Sequence, residues 1–244
     1  MTKLILVFLN CILATNMAVA NCAINNNMLG AIYEVTTIHK NNNTTSTQHI
    51  TLWRNGQQVA HEYAGTHMTK LWERMSNKRL RMVNYFDTPQ RGIEYQPDEI
   101  KISHSENDWL LKRQLITNDL IHSMQHVATT KDGCDDLAGY IFEKKNVKIN
   151  LQWLIKHELV KQYTEESDAS IVAWKLKEVS YDPENVKNVF ITRSKYLTTD
   201  YTDIGDNESD HFLLKMINLG FITHTSARLY DTQENSLNAT SHKH

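Results

Sequence analysis

The sequence predicts an α+β domain that is mainly antiparallel β, and three observations predict it. Runs of β-branched and aromatic residues in the first half have strand length and alternate with short turn-rich segments. After Trp109 a four-residue apolar period sets in, the spacing of an amphipathic helix, and strand-like runs then resume. Only 8 glycines and 3 prolines occur in 244 residues, the composition of an ordered globular chain and not of a linker.

The chain opens as an export signal. Lys3 supplies a positive start, Leu4 to Ala14 a mostly apolar run, and Ala18-Val19-Ala20 a small-residue cleavage site, so residues 1–20 are read as a signal peptide. Asn10 and Cys11 interrupt a run already too short for a permanent membrane span. The mature chain is read as one domain over 21–230, with a flexible tail over 231–244 that is rich in Asn, Ser, Thr and His.

Within that domain, "AIYEVTTIHK", "TQHITLWR" and "QQVAHEYA" read as strands. "NNNTTS" separates the first two, and Asn55-Gly56 the second and third, a pair suited to the positive φ angles of a type I′ hairpin turn. "RLRMVNYF" and "GIEYQ" flank a further turn at Asp87 to Arg91, and the whole reads as an antiparallel meander. Ile116, Leu120 and Met124 then predict a helix over 108–126. Strands follow at "AGYIFEKK", "VKINLQWLI", "LVKQYTE", "SIVAWKLKEVSY" and "NVFITRS"; Val172, Trp174 and Leu176 set against Lys175 and Lys177 give one strand a wet face.

The acidic stretch "DYTDIGDNESDH" has two readings. As an EF-hand loop it fails, because Ile204 and His211 stand where oxygen ligands are needed. As a helix entry it works: Asn207 caps, Glu208 and Asp210 put negative charge in the first turn, Gly220 suits the end, and Phe212, Met216 and Leu219 share a face over 208–219. An irregular calcium site is the other reading.

Charge excludes some function classes. A net charge of −2 and a pI near 6.6 give no global drive towards nucleic acid or an acidic membrane surface. Arg79 and Arg81, in a basic run with aromatic neighbours, read as the wet face of a strand or as a site for a phosphate or an anionic headgroup. Asp119, His122 and His126, spaced three and four apart, would share one side of a continuous helix and could ligate zinc; the alternative is a solvent-facing polar stripe. His157-Glu158 lacks the second His of a zincin, and no GxSxG elbow or CxxC pair occurs. No motif calls for a cofactor or a catalytic residue. Removal of Cys11 with the signal leaves Cys22 and Cys134, which are expected to pair in an oxidising compartment or else to remain two separate thiols.

The segments "VKINLQWLIKHELVKQYTEES" and "YDPENVKNVFITRSKYLTTD" resemble paired and closing strands of the periplasmic LolA, LolB and RseB superfamily. That resemblance implies a strongly curved, half-barrel-like sheet wrapped around helices, with an apolar concave face and no catalytic residues. It implies an exported carrier or sensor, periplasmic in a Gram-negative cell, whose ligand is a lipid, lipopeptide or lipoprotein. Trp53, Trp72, Trp153 and Trp174 are the expected lining. Two other classes stay open, an exported metal-binding protein that uses the His and Asp residues and a protein-interaction module without a small ligand.

Overall fold

Residues 24–100, 105–207 and 209–221 are described by the computed structural model; the segment expected to be a signal peptide, Cys22 and the expected tail over 231–244 lie outside them. Twelve strands form one continuous, curved and unclosed sheet. In chain order they are β1 (Met28–His39), β2 (Thr44–Asn55), β3 (Gln58–Tyr63), β4 (Met68–Arg74), β5 (Leu80–Phe86), β6 (Arg91–Tyr95), β7 (Gln125–Asp132), β8 (Asp135–Lys144), β9 (Val147–Leu154), β10 (Leu159–Glu166), β11 (Ser170–Ser180) and β12 (Leu197–Asp200). Their spatial order is β12-β6-β5-β4-β3-β2-β1-β11-β10-β9-β8-β7, so two meanders meet where β1 pairs with β11. All pairs are antiparallel except β12, which lies parallel to β6.

Among the described residues four α-helices accompany the sheet, α1 (Glu106–Gln114), α2 (Asn118–Ser123), α3 (Pro183–Arg193) and α4 (His211–Asn218), with short 3-10 turns at Pro97–Glu99 and Tyr201–Asn207. The helix expected over 108–126 is two helices, because Leu115 turns left-handed (φ 66°) at the end of α1 and Thr117 caps a new start by accepting from the Leu120 N–H. The chain then enters β7, which the apolar period concealed. "NVFITRS" is helical and not a strand. Asp182 accepts from the N–H groups of Glu184 and Asn185, Pro183 stands at the first helical position, and Val186, Phe190 and Arg193 form the buried side. At the β2–β3 hairpin only Gly56 has a positive φ (63°), so its two-residue loop is Gly56-Gln57, as a type II′ turn requires. The acidic stretch is a helix entry whose cap is Asp210 and not Asn207; Asp210 accepts from Phe212 N–H at 2.8 Å and Leu213 N–H at 3.3 Å.

Strand alternation sorts the core into two faces. On the inner face, Leu29, Tyr33, Ile50, Leu52, Val59, Leu151, Tyr163 and Trp174 pack against Trp109, Leu115 and Ile116 of the α1 region and Ile121 of α2. The same face of β4–β6, carrying Met68, Trp72, Met82, Phe86 and Ile93, is covered by Leu213 and Met216 of α4. The outer face of β3–β5 presents Ala60, Leu71, Val83 and Tyr85 to Val186 and Phe190 of α3.

Candidate functional site

The inner face is closed over most of its length and opens at one end. β7 is an edge strand, exposed along almost its whole length, and the second half of β8 is at best half-buried. Register places Tyr140 opposite Leu151 and Phe142 opposite Ile149, so both rings project from the inner face. With Leu120 of α2 and Val147 of β9 they form a partly buried apolar margin against the main core. His126 of β7 meets Tyr140 edge-on at 5.4 Å between centroids. A polar pair lies behind this margin: Glu165, opposite Ile149, accepts from Tyr163 Oη at 2.5 Å. Burial pushes the Glu165 carboxyl above its ordinary range, against the Tyr163 hydrogen bond that lowers it.

A buried guanidinium fixes the other boundary of this region. Arg54 is 1% exposed and donates to four backbone carbonyls, those of Arg113 (2.7 Å), Asn26 (3.1 Å), His157 (2.8 Å) and Glu158 (2.5 Å). It therefore ties β2 to the end of α1 and to the β9–β10 turn. Burial, reinforced by the neighbouring Arg113 charge, pushes its pKa down to about 9. Asp135 holds the same turn. It accepts from the backbone N–H groups of Lys156 and His157 and pairs with the His157 ring; these bonds outweigh burial and leave its pKa lowered.

The four tryptophans divide between the faces. Trp72, Trp153 and Trp174 lie on the inner face but are only 2%, 7% and 6% exposed, which makes them core. Trp53 projects outward, where its ring lies over Gly30; a Cβ there would come within 2.3 Å of it. Arg79 pairs with Asp98, and Arg81 lies between Glu73 and Glu94, so acidic neighbours offset both charges. Asp119, His122 and His126 do not assemble. α2 stops at Ser123, His126 belongs to β7 and bonds Thr129, and Asp119 accepts from Asn107. No group of three potential metal ligands occurs among the described residues. Cys134 lies at the β7–β8 turn, where Lys156 Nζ donates to its carbonyl at 2.8 Å, and pairing with Cys22 stays an expectation.

A second concavity, unanticipated from the sequence, lies on the outer face between α3 and β2–β5, with a volume near 460 Å³. Its floor is an ion-pair network on Arg193, which is 8% exposed. Arg193 meets Asp87 through Nε (3.0 Å) and Nη2 (3.1 Å) and approaches Glu62 at 3.5 Å. Asp87 also accepts from Thr69 (3.0 Å) and Tyr196 (3.2 Å), while Glu62 accepts from Trp53 Nε1 (2.9 Å). The sequence signal was the start of α3: once "DPEN" is read as a cap, Arg193 falls seven residues after Val186 on the sheet-facing side.

No family model matches the chain, and no curated protein matches it in sequence. Solved structures similar to it include a LolA-superfamily protein from Nitrosomonas europaea (6% identity, TM-score 0.32, covering 68% of this chain and 91% of that one). A putative outer membrane lipoprotein-sorting protein domain from Vibrio parahaemolyticus is similar at 10% identity and TM-score 0.30, over 67% of this chain and 91% of that one. MucB in its complex with MucA from Pseudomonas aeruginosa is similar at 8% identity and TM-score 0.32, over 64% of this chain and 52% of that one. Among the described residues no helix is long and apolar enough to cross a membrane.

Proposed function

We propose that the protein is an exported, non-enzymatic carrier or sensor that holds a lipophilic ligand at the β7–β9 end of its inner face. One observation carries this reading: the sheet outruns its helices there, leaving Leu120, Tyr140, Phe142 and Val147 half-covered beside a continuous core. An acyl chain laid on that margin would gain roughly 0.8 kcal/mol for each methylene withdrawn from water, so a partly enclosed chain suffices for useful affinity. The ligand enters where the inner face is already open, and the buried tryptophans stay in place. A lipid or the lipid of a lipoprotein is the class that fits, and the expected export signal would place the protein in the periplasm if its source is a Gram-negative cell.

The test is mass spectrometry of organic extracts from mature protein purified without detergent, followed by titration of the delipidated protein with palmitate. An apolar compound at near-stoichiometric yield, and palmitate binding lost in Phe142→Ser, would support the reading. If no compound is recovered and palmitate is ignored, the carrier reading fails. The open edge of β7 favours one other reading, strand addition by a partner polypeptide, although its bulge between His126 and Ala128 blunts that edge.

A further inference from the structure

We propose that the outer-face groove under α3 is a carbohydrate site that takes a neutral saccharide of one or two rings. Its volume lies in the range of small-ligand pockets, roughly 300 to 1,000 Å³. The floor is prepared in advance: Asp87 and Arg193 are locked by their mutual pair and by Thr69 and Tyr196, so the polar groups do not reorganise when a ligand arrives. Among the described residues, Glu62 Oε1 has only the 3.5 Å approach of Arg193, which leaves it able to accept from a ligand hydroxyl.

The α3 wall supplies complementary groups. Asn185, Asn188 and Thr192 recur at three and four residues along one side of the helix, are exposed, and line the groove. None of their side-chain polar atoms bonds another described residue. Amides and hydroxyls both donate and accept, which is the requirement of a sugar hydroxyl. Trp53, half-buried and fixed over Gly30, and Val189 add apolar surface for the C–H faces of a ring.

Charge decides among ligand classes. Glu62 and Asp87 outnumber Arg193, so an anion is repelled. A simple ammonium ion would engage Glu62 but leave the three uncharged side chains of α3 without a role. A polyol uses all of them. The groove lies on the opposite face of the sheet from the apolar margin, so this proposal stands independently of the carrier reading.

Saturation-transfer NMR on the mature chain with N,N′-diacetylchitobiose, cellobiose and maltose, each at millimolar concentration, tests it, with ethanolamine as the cationic control. The expected result is saturable transfer to at least one disaccharide and none to ethanolamine. Asn188→Ala and Thr192→Ala, both at exposed positions, should each weaken that binding by about tenfold without changing the melting temperature. Silence from all three disaccharides, preferential binding of ethanolamine, or disaccharide binding unchanged in both variants would overturn the proposal.

Discussion

The two ends of the sheet are built differently. The inner face of β4–β6 is covered by α4 and the outer face of β3–β5 by α3, and Phe86 and Ile93 contribute to a dry cluster there. At β7–β9 the covering stops: β7 is exposed on both faces and Tyr140 and Phe142 lean on the core from one side only. Packing density and number of buried contacts set local stability, so the first end holds the fold and the second is available to something else. Arg54 sits between them, with its four carbonyl partners drawn from the N-terminal segment, α1 and the β9–β10 turn.

The largest expected effect concerns a covalent pin on the bare end. A Cys22–Cys134 bridge would tie the segment ahead of β1 to the β7–β8 turn and constrain the unfolded chain by roughly 4 to 5 kcal/mol in the entropic account. Mature protein should then show no reactive thiol, and reduction should lower its melting temperature; two labelled thiols per chain would remove the pin. Next comes the link between the ends. Arg54→Met takes the guanidinium donor from the carbonyls of Arg113, His157 and Glu158, while Asn26 O keeps its bond from Arg113 Nη2, and should cost about 3 kcal/mol in denaturant unfolding, whereas a loss under 1 kcal/mol would show that water replaces the guanidinium without penalty.

Paired truncations sharpen the contrast itself. Leu213→Ala, in α4 and 1% exposed, should cost about 3 kcal/mol, and Phe142→Ala only about 1 kcal/mol because its side chain is only partly buried. Equal costs would mean that the β8 margin is as tightly packed as the β4–β6 end. The smallest effect is at the α4 cap: Asp210→Ala should cost about 0.5 to 1 kcal/mol, the same with and without calcium. Arg91 and two backbone N–H groups hold the Asp210 pKa low, so its contribution is present above about pH 4 and fades as the pH falls through the depressed value. Acid titration of wild type against the variant should show the difference closing at low pH.

Much of the fold could be read from the residues because strands in this chain are bounded by short turns and alternate cleanly, as β11 does with Val172 and Trp174 inside and Lys175 and Lys177 outside. Two errors share a cause. Ile116, Leu120 and Met124 keep helical spacing although only Leu120 lies within a helix, α2 starting after the left-handed break at Leu115 and stopping at Ser123, and "NVFITRS" has strand composition inside a helix whose start is set by Asp182 and Pro183. In both places backbone capping overrode side-chain pattern. The sites were less accessible. Aromatic identity did not say that Trp53 points outward, nor that Trp72, Trp153 and Trp174 are core, since face assignment depends on register. The outer groove joins Glu62, Asp87 and Arg193 across 131 residues of chain, a proximity that no local spacing announces.

Paramagnetic relaxation enhancement from palmitate carrying a nitroxide near its methyl end, read on backbone amides of the isotopically labelled mature protein, tests most directly whether the bare end is the binding surface. Binding at the β7–β9 margin predicts strong, saturable broadening of the Tyr140, Phe142 and Val147 amides, with Phe86 and Ile93 unaffected. Broadening concentrated on β4–β6, or none at saturating ligand, would contradict it.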